Sequence, residues 1–304
     1  MTRAFWDAKV LLLVTLGVIA LGYLAILLAA LRRPRARAGE PAGPTVPALV
    51  TGAVTNFFDT LGIGSFAPTT SILRHWRLVR DEWIPGTLNV GHTLPTVVQA
   101  FIFTRIVPVE SRTLILMIGA AITGAWLGAG VVAGWPRRRV QVGMGIALIV
   151  AAGIMMLSQL GLVPGGGTAL GLGAAKLAVA VAGNFFLGAL MTLGIGLYAP
   201  CMILVSVLGM SPTTAFPIMM GSCAFLMPVA SVRFMRAERY DRGASLGLLI
   251  GGIPAVLVAA FVVKSLPLGA VRYLVVVVVL YTAVSLLRAA RATASPPDAA
   301  GVAP

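Results

Sequence analysis

Asn89, His92 and Gln99 lie in one apolar run, three and seven residues apart from the histidine. On a helix these intervals bring all three near one face, with Pro95 bending the axis between them. Their amide and imidazole N–H groups suit an oxyanion. Asn56, Asp59, Thr60 and Thr93 stand in or beside apolar stretches too, as do Asn184, Thr192, Tyr198 and Ser222 further along. Polar groups at membrane depth are expensive, so they mark a pathway by default, with glue between helices as the plainer role. Of the nine carboxylates, only Asp59 falls inside an apolar segment. A lone carboxylate there can shed its charge by taking up a proton. Asp59 and His92 are therefore candidate proton-coupling groups; a cap for the adjacent break, or a partner for His92, is the alternative for Asp59.

The break beside Asp59 occurs twice. Residues 60–68 read TLGIGSFAP and residues 192–200 read TLGIGLYAP, seven of nine positions agreeing at an offset of 132. Gly62, Gly64, Gly194 and Gly196 let the backbone leave helical geometry or approach a ligand closely. Such breaks survive in hydrocarbon only where protein or water satisfies the freed N–H and C=O groups. Helices restarting near Ser65 and Leu197 would aim their positive N-terminal ends at the breaks, and a helix N-terminus is an anion site. Thr60, Ser65, Thr192 and Tyr198 complete the candidate binding set. A glycine-mediated helix contact without any ligand is the competing reading.

The elements that must hold these groups follow from composition. Of the 304 residues 59% are hydrophobic and 11% charged, with a mean hydropathy of +0.97. A soluble domain carries about 25% charged residues, so a water-soluble enzyme is excluded. Uninterrupted apolar spans run at roughly 10–31, 84–104, 113–135, 140–161, 214–232, 244–263 and 269–287. Two interrupted segments lie at about 46–73 and 172–209. If each crosses the membrane once, Lys and Arg divide 13 inside to 10 outside; if each folds back, they divide 16 to 7, with Arg74, Arg77, Arg80 and Arg137 to Arg139 inside. The positive-inside rule favours folding back. Each half then makes an odd number of crossings, and the two halves must be inverted in the membrane.

The expected architecture is an all-α polytopic membrane protein. Residues 1–45 form an extra N-terminal helix and a basic linker (RRPRAR at 32–37). Repeat 1 covers 46–162, a Gly-rich loop 163–171, repeat 2 172–291 and a disordered tail 292–304. Each repeat carries a re-entrant hairpin and three transmembrane helices. The first apolar run, Val10 to Leu31, is too long for a cleaved leader. The net charge of +14 faces anionic lipid rather than nucleic acid. Trp76 and Trp83 read as headgroup anchors. Cys201 and Cys223 imply neither disulfide nor metal site, and no HExxH, CxxCH or Walker A motif is present. Neither an enzyme nor a cofactor is implied. The GAWLGAG run at 124–130 permits a homodimer.

With the duplicated Gly-rich break before a proline, and N-x-G-H-x-L-P-x-x-x-Q-A-F-I-F at 89–103, the chain resembles the TauE/SafE sulfite exporter family, also called the toluene-sulfonate uptake permease family. The resemblance runs from about 46 to 288. It departs in carrying GIGSF where many relatives have a GGG-type run, and in its extra first helix. The resemblance implies a secondary transporter, an exporter by preference, for sulfite or a short organosulfonate such as sulfoacetate. It implicates Gly62, Gly64, Pro68, Asn89, Pro95 and Gln99, with Gly194, Gly196 and Pro200 as repeat mates. The expected place is a bacterial inner membrane, N-terminus outside and C-terminus cytoplasmic. The alternatives are an anion-selective channel and a non-transporting scaffold or maturation subunit.

Overall fold

The computed structural model describes residues 2–32, 43–80, 83–132, 137–160, 162, 167–191, 197–265 and 267–292. Eleven α-helices and no strand occur among them. The first half holds α1 (Thr2–Arg32), α2 (Val46–Thr60), α3 (Phe66–His75), α4 (Ile84–Ile106), α5 (Ser111–Val132) and α6 (Arg137–Gln159). The second holds α7 (Ala174–Met191), α8 (Tyr198–Val207), α9 (Ala215–Arg236), α10 (Arg242–Ser265) and α11 (Leu268–Ala292). The basic linker at 33–42, residues 163–166, the second break at 192–196 and the tail from 293 lie outside the described residues. Four stretches, Ala8–Arg32, Ala174–Met191, Pro212–Arg236 and Arg242–Val262, are long and apolar enough to cross a membrane, the mark of a helical membrane protein. The Pro212–Arg236 window is 72% buried and that of Ala8–Arg32 17%, which makes α9 central and α1 peripheral.

The duplication extends well beyond its nine residues. α3 and α8 have bounds 132 residues apart at both ends, and α4, α5 and α6 lead to α9, α10 and α11 at that offset within two residues. Pairing follows suit. α2 packs along α10 as α7 packs along α5, while α4 pairs with α9 and α6 with α11. Exchanging the halves reproduces this pattern. Closeness in the α2–α10 and α5–α7 pairs depends on glycine. A β-carbon on Gly251 would lie 2.1 Å from the Leu49 carbonyl oxygen, and one on Gly188 2.1 Å from that of Ala121. Gly124, from the run read as a dimer face, is used inside the fold: its β-carbon would sit 1.9 Å from the Phe185 carbonyl oxygen. Gly119, which stands 132 residues before Gly251, has no neighbour within 4 Å, so the two glycines share no packing role.

Two groups of contacts define opposite ends of the bundle. At one, Ala48 at the start of α2, Leu73 near the end of α3, Ile84 and Leu88 at the start of α4 and Ala244 at the start of α10 form one buried apolar cluster. Asp241 N–H donates to Thr87 Oγ1 there at 2.9 Å. Arg74, Arg77, Arg80, Arg239 and Arg242 gather at this end. At the other, Glu110 N–H donates to the Leu170 carbonyl at 2.7 Å, and Lys176 Nζ donates to the Leu208 carbonyl at 2.9 Å. The start of α7 thus meets the end of α8, as the start of α2 meets the end of α3. Trp83 departs from expectation. It is buried in the first cluster beneath the Arg80 guanidinium, 4.8 Å from its ring centre, because the α3–α4 turn folds it inward; Trp76 is exposed.

Cap geometry explains the repeated motif. Gly62 N–H donates to the Asp59 carbonyl and Ile63 N–H to that of Phe58, the paired bonds of a left-handed C-cap, with Gly62 at φ +100°. Pro68 and Pro200 each fall third in the following helix, where a missing N–H costs nothing. The motif is a helix stop joined to a helix start. The same cap closes α3 at Arg77 (φ 50°) and α8 at its mate Gly209 (φ +96°). An exposed arginine at a left-handed position carries roughly 1 kcal/mol of strain that glycine does not. Arg77→Gly is therefore expected to raise the detergent-measured unfolding temperature slightly, with a gain of at most about 0.6 kcal/mol once the added chain entropy of about 0.4–1 kcal/mol is subtracted.

Candidate functional site

The first break carries an acidic pivot. Asp59, on the last turn of α2, is 2% exposed. Its Oδ1 accepts the Ser65 backbone N–H at 2.5 Å, so the N-terminal end of α3 is held by the chain's own carboxylate. Its Oδ2 accepts Gln99 Nε2 from α4 at 2.8 Å. The same nitrogen donates to Thr60 Oγ1 at 2.9 Å, and Gln99 Oε1 accepts the Tyr198 hydroxyl from the start of α8 at 3.1 Å. This Ser65–Asp59–Gln99–Tyr198 chain joins the first break to the start of α8. The first break also lies against α8: a β-carbon on Gly62 would be 3.0 Å from Met202 Cε.

A second chain lies beside it. His92 Nδ1 is 3.0 Å from Asn56 Oδ1, and His92 Nε2 3.1 Å from Thr69 Oγ1 on α3. Asn56 Nδ2 donates to the Gly52 carbonyl at 2.8 Å, which turns its oxygen toward the ring. That acceptor requires a proton on Nδ1, and a neutral imidazole then accepts the Thr69 hydroxyl at Nε2. Thr60 Oγ1 links the chains by donating to the Asn56 carbonyl at 2.8 Å. Asn56, Thr60, Thr69, His92 and Gln99 are all fully buried. Each named donor has a protein acceptor. The arrangement is closed on itself.

The second half presents a softer wall. Met202 and Met219 face Gly62, and Cys223 Sγ lies 3.8 Å from Met191 Sδ. Both cysteines are free and buried, so no disulfide forms. No cluster of three His, Cys, Asp or Glu residues occurs among the described residues.

Of the predicted site residues, the structure brings together Asp59, Thr60, Gly62, Ser65, His92, Gln99 and Tyr198. Gly64 sits on the same turn at φ +86° with nothing within 4 Å of the place a β-carbon would take, so backbone shape, not helix packing, requires it. Asn89 stands apart: it is half-buried, and its Nδ2 donates to the Pro85 carbonyl one turn back at 2.8 Å. Thr192, Gly194 and Gly196 lie outside the described residues. Asp59 does not pair with His92, which turns to Asn56 and Thr69. Asn184 is buried elsewhere, donating to the Met117 carbonyl at 2.7 Å. Thr69 escaped sequence reasoning, although its place one turn after Ser65, on the restarted helix, was a usable signal. Comparison with protein-family models, with curated proteins and with solved structures yields no match.

Proposed function

We propose that this chain is a secondary transporter of small sulfur-containing anions, sulfite or a short organosulfonate, with export as the preferred direction. The observation that carries the reading is the meeting of the first break with the start of α8 through Ser65, Asp59, Gln99 and Tyr198. An anion seated there would take N–H donors from the start of α3 and from Gln99, with His92 and Thr69 one turn away. Thr192, Gly194 and Gly196 would supply the matching side, and Asn89 a more distant approach position. Two further features support it. α2 opens at the arginine-rich end while α7 opens at the other, as inverted re-entrant hairpins require. The arginines gathered with the α3–α4 turn are those the folded-back charge count puts inside. That end is then cytoplasmic in a bacterial inner membrane, with the N-terminus outside. Alternating access comes from one hairpin-bearing half moving against the other.

A thermal-stability screen on detergent-purified protein with sulfite, thiosulfate, sulfate, sulfoacetate and acetate tests this reading. A ligand at about 100 times its Kd stabilises the folded state by about 2.7 kcal/mol. The sulfur anions should raise the unfolding temperature and acetate should not. No shift with any sulfur anion contradicts the reading.

A further inference from the structure

We propose that Asp59 is an internal counterpart of the transported anion: it occupies the α3 N-terminal seat, and an anion takes that seat only as Asp59 takes up a proton. The inference rests on the transporter reading and deepens it by naming the coupling. Asp59 Oδ1 holds the Ser65 N–H and Oδ2 holds Gln99, the same donors a bound oxyanion needs. Its partners are the Ser65 backbone, Gln99 and the Tyr198 region, none of them cationic. Two negative charges side by side in a buried, low-dielectric site repel strongly. Protonation removes one of them. The proton comes from water and adds to the carboxylate; the anion enters with its charge intact, so the loaded site differs from the empty one by one proton and one anion.

The titratable groups facing Asp59 from neighbouring elements are Tyr198 on α8 and Cys223 on α9. His92 on α4 is one step removed, through Asn56. α10 presents Leu248, Gly251 and Gly252 to this stretch of α2. Among these, Asp59 is the group whose negative charge occupies the donors. A fixed cap at Ser65 predicts, in contrast, anion binding without proton uptake.

Thiosulfate is the probe, because it holds no proton to exchange near neutral pH. Calorimetric titration of the purified protein, in buffers of different ionisation enthalpy, counts protons taken up per thiosulfate bound. The expected result is about one proton, with affinity falling about tenfold per pH unit on the alkaline side. Asp59→Asn should bind thiosulfate with no proton uptake and a flat pH profile; the wild-type count stands by itself should that variant not fold. Thiosulfate binding without proton uptake anywhere between about pH 5 and 9 overturns the coupling and leaves the transporter reading in place. No thiosulfate binding or stabilisation overturns both.

Discussion

Gln99→Ala is expected to lower sulfite transport about a hundredfold, the scale of losing one well-placed oxyanion donor. It should also destabilise the fold by roughly 3 kcal/mol, since buried groups deprived of partners cost about 1–3 kcal/mol each. Gln99 ties the end of α2 to the start of α8: its nitrogen serves Asp59 and Thr60 and its oxygen takes the Tyr198 hydroxyl. Truncation leaves Asp59 Oδ2 and the Tyr198 hydroxyl without those bonds in a fully buried site. Thermal unfolding in detergent reads the stability loss, and proteoliposome uptake reads the transport loss. Tyr198→Phe separates the two functions of the residue. It removes only the Tyr198–Gln99 bond, and should cost about 1–3 kcal/mol because the buried Gln99 Oε1 loses its donor.

The second large effect is at the break itself, where two neighbouring glycines should respond unequally. Gly62→Ala meets both a left-handed backbone at φ +100° and a contact of 3.0 Å with Met202 Cε. Gly64→Ala meets a left-handed backbone at φ +86° and no neighbour within 4 Å. Backbone strain alone costs about 1–2 kcal/mol, and overpacking adds about 1–3 kcal/mol. Gly62→Ala should therefore be the more damaging by at least about 1 kcal/mol, in unfolding temperature and in transport. Equal losses would mean that Met202 yields freely and the contact between the tips is loose.

Much of the fold was legible because hydropathy and backbone chemistry act locally. The seven uninterrupted spans correspond to α1, α4, α5, α6, α9, α10 and α11, since a run of apolar residues long enough to cross lipid has few alternatives to helix. The offset of 132 located both interruptions, and Gly62 with Pro68 marks a helix stop and start whatever surrounds them. The arginine count favours the folded-back form; in the fold the start of α2 lies by the end of α3 and the start of α7 by the end of α8.

The site was legible in its residues and less so in its bonds. Helix arithmetic put Asn89 on a face with His92 and Gln99, yet it cannot say which neighbour lies opposite each turn. Asn89 falls one turn too near the arginine-rich end and bonds its own helix. Thr69 belongs to the site because α3 returns alongside α4, a long-range fact that no local pattern encodes. Trp83 was misplaced for a similar reason: a tryptophan near a charged loop fits an interface equally well until the turn that buries it is known. That Asp59 holds the Ser65 N–H, rather than pairing with His92, depends on how tightly the chain turns between positions 59 and 65.

Counterflow measures the central claim most directly. Proteoliposomes loaded with unlabelled sulfite and diluted into a trace of radiolabelled sulfite should accumulate label transiently above its equilibrium level, and Gln99→Ala should remove the overshoot. Label that enters only to equilibrium without an overshoot, or that fails to enter at all, contradicts a carrier whose anion sits between the first break and the start of α8.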